Sequence, residues 1–512
     1  MTKTHFRLVS FLLIALLPGC SHAGKKLVFY HTNDIHGYIT SSEAKFYKEN
    51  PKRLIGGFAV LANLVKQEKG PYLLLDSGDI FSGAPEGSLT GGESVVTLMN
   101  HLGYAAAAIG NHEFDKKERN LTKLAKQAKF PFLSANIYLR YPKTKGKDEQ
   151  PSYATAYTIR EINGVKVGIM GLITPDTPRV TMPKNVARLK FLRPVNVAKK
   201  VVQELRSQGC DLVIALSHIG WAKPGESDFE DDKYLAAHVP GIDVILGGHT
   251  HTFLKEPYQD PTNKTIIIQS GRYLTASTRL ELELDGKNKI QNFKHKLIDL
   301  WVDEIGEDAE TLKLVNRYKD AADKKLSKVI GTTNVDLVPN RDAESLLGNL
   351  VSDSMKDAVA SDIALQNSGG IRDSISAGPI TLRSVYSVLP FDNTIVVFKF
   401  TGSQIREILE TSAAGSISRM QVSGLRVRYD SHHPRGHRIK EIWIGSKPLS
   451  ETREYTLATN SFIAQGGDGY KTFLNAQDKK DTGIMLRDAM ASYVEKNTPI
   501  NAKVEGRITE EK

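Results

Sequence analysis

The stretch Leu27-Val28-Phe29-Tyr30-His31-Thr32-Asn33-Asp34-Ile35-His36-Gly37 sets the pattern for the first half of the chain. A short apolar run, 27–30, reads as a buried strand. It breaks into Asn33-Asp34-Ile35-His36-Gly37, a loop of metal-ligating side chains closed by a glycine. The arrangement returns four times. Asp76-Ser77-Gly78-Asp79 follows the run 72–75, and Gly110-Asn111-His112-Glu113-Phe114-Asp115 follows 105–109. Ser217-His218 follows 212–216, and Gly247-Gly248-His249-Thr250-His251 follows 244–246. Runs at 165–170 and 265–268 add two more strands, and amphipathic stretches at 57–68, 119–129 and 195–208 lie between them. Such alternation predicts an α/β fold with sheet layered between helices. Ligands at strand C-termini are where open α/β sheets build their sites.

The residue types in these loops decide the chemistry. Asp34, His36, Asp79, Asn111, His218, His249 and His251 offer imidazole, carboxylate and an amide oxygen but no thiolate. That donor set suits zinc, manganese, iron or cobalt. Seven candidate ligands are too many for one ion and suit two. Two divalent ions against the anions Asp34 and Asp79 leave a local surplus of about +2, which attracts phosphate. Each motif alone is weak. Asp-x-His is common by chance, and His249 and His251 would face opposite ways on a strand unless a loop carries them. The signal is five motifs in succession, each behind an apolar run. His101, His238, His295 and the His432-His433 pair lack that context and read as structural or surface residues.

A chain of 512 residues implies two or three domains. With 40% hydrophobic and 25% charged residues it has a globular composition. Two cysteines exclude a disulfide-stapled scaffold and a Cys-rich zinc module. The net charge of +10 is not gathered into a Lys/Arg stripe, so no nucleic-acid partner is expected. Lys3 and Arg7 flank the apolar run 8–17, about half the roughly 20 residues of a spanning helix, which fits a secretory signal. Two cleavages compete within a signal segment 1–23. Leu17-Pro18-Gly19-Cys20 resembles a lipobox that would make Cys20 the lipid attachment point, although Pro18 is an unusual occupant; Ser21-His22-Ala23 offers ordinary cleavage after Ala23. Either way the expected location is outside the cytoplasm, in a bacterial periplasm or anchored to an outer membrane. Cys210 is then left unpaired and reads as a buried, inert thiol. The Lys-rich segment 140–153 reads as an exposed loop.

Near residue 309 the pattern changes. A helix with charged faces at 310–326 bridges to a second region with element signals at 344–359, 394–401, 403–413 and 425–429. This region holds Asn367-Ser368-Gly369-Gly370-Ile371-Arg372, Leu389-Pro390-Phe391-Asp392-Asn393, and Phe462 followed by Gly466-Gly467-Asp468-Gly469-Tyr470. Arg341 precedes the predicted helix at 344–359. An exposed pair of Phe rings would sandwich a nucleobase, and arginines would hold phosphate through forked donors. Taken singly, Phe391 and Phe462 read as core rather than ligand-binding residues, and Arg341 and Arg372 as surface cations.

Taken together, these motifs resemble those of the 5′-nucleotidase family, its bacterial UDP-sugar hydrolase/5′-nucleotidase branch in particular, with calcineurin-like metallophosphoesterase motifs in the N-terminal part. The resemblance covers nearly the whole mature chain. It implies that Asp34, His36 and His251 hold one metal ion, that Asn111, His218 and His249 hold another, and that Asp79 bridges them. His112 and Asp115 match a catalytic His-Asp dyad. A carboxylate three residues on can fix the tautomer of an imidazole lying beside the metals, and the charged form can stabilise phosphoryl oxygens or protonate a leaving group. Asp115 also fits a helix N-cap. Phe391 and Phe462 match the rings that enclose the base; Arg341, Asn367, Arg372, Asn393 and Asp468 match polar contacts to ribose, phosphate or base.

The expected architecture is an N-terminal layered α/β/β/α metallophosphoesterase domain at 25–308, a linker helix at 309–328 and a second α+β nucleotide-binding domain at 329–512. The expected activity is hydrolysis of nucleoside 5′-phosphates by in-line attack of a metal-bound water, with two divalent ions as cofactors and a nucleotide as substrate. The alternatives are UDP-sugar or other nucleotide-diphosphate hydrolysis, 2′,3′-cyclic-nucleotide phosphodiesterase activity, and a nonenzymatic nucleotide-binding surface protein. The last predicts decayed ligands, whereas all seven are intact.

Overall fold

The structure is a computed structural model describing residues 25–511 apart from 45, 142–147, 223–229, 416–417 and 477. The signal segment and Cys20 lie outside the described residues.

Two six-stranded sheets face each other. The first runs Ile290–Asp299, Ala276–Leu284, Lys26–Thr32, Tyr72–Asp76, Ala106–Ala108, Phe132–Leu133. The second runs Tyr258–Gln259, Ile266–Gln269, Val244–Gly247, Leu212–His218, Val165–Ile173, Tyr157–Ile162. The period-two pleat sorts each strand between two cores. Leu27 and Phe29 join Leu212, Ile214 and Leu216 in the core between the sheets. Val28 and Tyr30 point the other way, onto Phe58, Leu61 and Val95 of the covering helices. Val213 and Ala215 do the same on the second sheet, against Ala198, Val202 and Leu205 of the helix Pro194–Ser207. The result is the expected α/β/β/α layering. Strands buried on both faces read as continuous apolar runs, which is why they were visible in the sequence. The antiparallel ribbon of Ala276–Leu284 and Ile290–Asp299 was not, because its outer strand alternates with exposed polar residues.

The helix Ala309–Leu326 starts where Asp308 accepts the Thr311 N–H at 2.9 Å, an N-cap that satisfies one orphan donor. Val315 buries it on the first core. Beyond it, five strands order as Met420–Ser423, Ile363–Asn367, Glu454–Asn460, Thr394–Thr401, Lys479–Met485. The helices Leu346–Val359 and Leu486–Asn497 cover one face and Gly402–Ala413 the other. The segment 140–153 departs from the exposed-loop reading at its end. Tyr141 is exposed, but Pro151 and Tyr153 are buried, and Gln150 donates to the Ser134 carbonyl at 2.7 Å. Cys210 is buried, as expected. No helix among the described residues is long and apolar enough to cross a membrane.

Candidate metal centre and nucleotide pocket

The five predicted loops converge at the C-terminal ends of the central strands. Three of them have strained backbones. Asp34, His36, Asp79, His249 and His251 all have positive φ, between 49° and 73°. Such a conformation costs a non-glycine residue about 1–3 kcal/mol and persists only where the surroundings over-determine it. Here the first two loops are zipped together: the N–H groups of Asp34 and His36 donate to the carbonyls of Gly78 and Asp79, each at 2.9 Å. The third loop is clamped by Glu113, a fully buried carboxylate accepting from the backbone N–H of Asp79 (2.9 Å), Ile80 (2.8 Å) and Gly110 (2.6 Å). Gly110 must be glycine, because a β-carbon there would lie 2.3 Å from Asp79 Oδ1.

Three groups of ligand atoms each lie within 4.8 Å of one another: Asp34, His36 and His251; Asp79, His218 and His249; and His36, Asp79 and His112. Asp79 is central, with Oδ2 3.1 Å from His218 Nε2, 3.8 Å from His36 Nε2 and 4.0 Å from His112 Nε2. The imidazoles are aimed from behind. His36 Nδ1 donates to the Ser82 carbonyl and His218 Nδ1 to the Ser77 carbonyl, both at 2.6 Å, which leaves each Nε2 lone pair facing inward. His36 Nε2 and His251 Nε2 stand 3.0 Å apart.

These residues fit divalent metal. His218 Nε2 and Asn111 Oδ1 are buried acceptors with no hydrogen-bond partner, a costly arrangement unless a cation satisfies them. Asn111 turns its amide so that Nδ2 donates to the Val180 carbonyl at 3.4 Å and Oδ1 is left free. Burial lowers the His218 imidazole, yet the Asp79 and Asp34 carboxylates beside it outweigh burial and lift it to about 10.

His112 Nδ1 meets Asp115 Oδ2 at 2.8 Å. Burial pulls the imidazole down, but Asp115 and Asp79 outweigh it and hold its pKa above the ordinary value. Thr181 Oγ1 donates to the other Asp115 oxygen at 2.9 Å. The N-cap reading of Asp115 fails: the helix Lys117–Gln127 has Lys116 at its N-cap and no side-chain cap.

The second-half residues divide between two places. Phe391 stacks on His112, with centroids 5.4 Å apart and planes 14° apart, and the Arg372 guanidinium lies 5.9 Å from the Phe391 centroid. Asp392 next to it pairs with Lys116 and Arg487. Asn367 Nδ2 donates to Asp468 Oδ2 at 2.8 Å, and Asp468 adopts a left-handed φ of 52°. Burial pushes Asp468 up to about 6. Phe462 lies over Gly467, where a β-carbon would fall 2.5 Å from the ring. Both Phe rings are half-buried, and Phe462 also packs against the core of the second half. Arg341 is exposed. Asn393 is buried and accepts from Ser461 Oγ at 3.2 Å, a contact within its own domain. Glu113, Thr181 and Tyr273, whose ring lies 5.7 Å from His36 and from His251, were not singled out in the sequence. Only the position of Glu113, inside a ligand motif, marked any of them.

Fold and site together define a cluster of candidate metal ligands on a phosphoesterase scaffold, and comparison with known proteins agrees on the scaffold. Residues 27–253 match the calcineurin-like phosphoesterase model, and 329–475 match the 5′-nucleotidase C-terminal domain. The chain is 30% identical to the protein UshA of Escherichia coli, covering 94% of this chain and 92% of that one. The chain belongs to the 5′-nucleotidase family and is a metal-dependent phosphoesterase, a hydrolase. A solved 5′-nucleotidase precursor from Thermus thermophilus is 32% identical, with a TM-score of 0.85 over 95% of this chain and 99% of that one. The trifunctional nucleotide phosphoesterase YfkN of Bacillus subtilis is 32% identical over 94% of this chain, which spans 35% of that longer protein.

Proposed function

We propose that the protein is an exported, two-domain 5′-nucleotidase that releases phosphate from nucleoside 5′-phosphates. The observation that carries this reading is the stack of Phe391 on His112, which sets an aromatic ring of the second half directly on the metal cluster. The domains in this reading are 25–308 and 329–512, joined by the helix at 309–328. Asp34, His36 and His251 would hold one divalent ion, Asn111, His218 and His249 the other, and Asp79 both. Bound ions of this kind supply Lewis acidity at phosphoryl oxygens and lower the pKa of an attacking water.

The chain's own residues do the rest. Asp115 fixes His112 with its proton on Nδ1 and keeps Nε2 turned to the cluster. In the imidazolium form, favoured by the two carboxylates, Nε2–H would donate to a phosphoryl oxygen or to the departing ribose 5′-oxygen. Phe391 and Phe462 would hold the base, with Asn367 and Asp468 at the ribose, and Arg341 and Arg372 at phosphate; Asn393 supports the Phe391 turn. Export rests on Lys3, Arg7 and the apolar run 8–17, with Cys20 as lipid attachment point in one cleavage and Ala23 as the last leader residue in the other.

Side-by-side phosphate release from AMP, UDP-glucose and cyclic 2′,3′-AMP tests the reading. AMP should be turned over fastest; a preference for either of the others would replace 5′-nucleotidase by that activity.

A further inference from the structure

Residues 176–185, just beyond the strand Val165–Ile173, touch both halves of the site. On one side this strap holds the cluster. The Val180 carbonyl accepts from Asn111 Nδ2 at 3.4 Å, and Thr181 Oγ1 donates to Asp115 Oδ1 at 2.9 Å. Asn185 Nδ2 donates to the carbonyls of Phe114 and Asp115 at 2.9 and 3.0 Å. On the other side it meets the loop of Phe462 and Asp468. Gln465 Nε2 donates to Met182 Sδ at 2.9 Å, and the Arg179 guanidinium sits where a β-carbon on Gly469 would be 2.8 Å away. Pro178 and Pro183 restrict the strap, and Thr177, Thr181 and Asn185 are buried, so it transmits displacement rather than absorbing it.

We propose that this strap couples the nucleoside pocket to the dyad, with Thr181 as the positioning residue for Asp115 and Arg179 as the contact to the pocket loop. A nucleoside seated against Phe462 and Asp468 braces the loop, the loop braces Arg179 and Met182, and Thr181 then holds Asp115 and through it the His112 ring. A phosphate ester without a nucleoside leaves the strap unbraced. The nucleoside therefore raises the rate of the chemical step as well as affinity. The inference rests on the 5′-nucleotidase reading.

The test compares turnover of AMP and p-nitrophenyl phosphate by the metal-loaded full chain. Wild-type protein that released no phosphate from AMP would refute the reading above, before any variant is compared. Given wild-type activity, Thr181→Val should lower kcat on AMP about tenfold with KM within about twofold, as expected for a misplaced catalytic group, and Thr181→Ser should restore most of it. Metal content and Tm of the Thr181→Val variant should stay close to wild type while its kcat falls, which a purely structural defect would not predict. Arg179→Ala should lower the ratio of kcat on AMP to kcat on p-nitrophenyl phosphate about fivefold or more. Should Thr181→Val fail to fold, that ratio decides alone. An unchanged ratio, or a Thr181→Val enzyme with wild-type kcat, overturns the coupling.

Discussion

The metal cluster and the nucleotide pocket are built on opposite terms. The cluster is largely buried, five of its seven candidate ligands have strained backbones, carbonyls hold the side chains of His36, His218 and Asn111, and the Glu113 carboxylate clamps the loop backbones. The pocket is open: Phe391 and Phe462 are half-buried, Arg341 is exposed, and Asp468 is tied to Asn367 alone among the predicted contacts. One is finished before substrate arrives. The other takes shape where two parts of the chain meet. On the proposed function, chemistry that tolerates no misplacement sits in the rigid half, and recognition, which must admit and release a ligand, in the looser one.

Substitutions can break that contrast. The largest effect should come from Asp79→Ala, which removes the carboxylate common to two of the three groups of candidate ligand atoms. Phosphate release should fall at least about a thousandfold, roughly 4 kcal/mol of transition-state stabilisation, with metal content by elemental analysis falling alongside. Arg383→Ala should follow. Its guanidinium is 2.6 Å from Glu86, which is 3% exposed, and 2.5 Å from Asp323 on the linker helix, so one residue ties both halves to the bridge. Leaving Glu86 buried without a partner should cost about 3 kcal/mol in chemical denaturation. Phe462→Ala should cost about 1–3 kcal/mol of nucleotide binding, read as a raised KM for AMP with metal content unchanged. A loss of metal in that variant would mean that the two regions are not built separately. The smallest effect should come from Cys210→Ala, about 1 kcal/mol of stability and no change in turnover, since the thiol only fills space.

The same contrast explains what could be read from the sequence. The strand-then-ligand pattern exposed the first sheet pair and the seven candidate ligands, because doubly buried strands are continuous apolar runs and histidines in their loops are conspicuous. The antiparallel ribbon Ala276–Leu284 and Ile290–Asp299 was hidden by polar alternation. Asp115 could be read as a dyad partner or a cap until Lys116 was seen at the N-cap. Thr181 carries no sequence signal: it lies 66 residues from Asp115, and only the packing of strand Val165–Ile173 beside its neighbours brings it there. In the second half, Phe391 and Phe462 could not be told from core residues by type, and the resemblance to a known family supplied what composition lacked.

The most direct test of the account adds Mn²⁺ or Zn²⁺ stepwise to metal-stripped protein and follows phosphate release from AMP. Activity should rise and level off at two equivalents of metal per chain. Saturation at one equivalent, or no phosphate release at any loading, would contradict it.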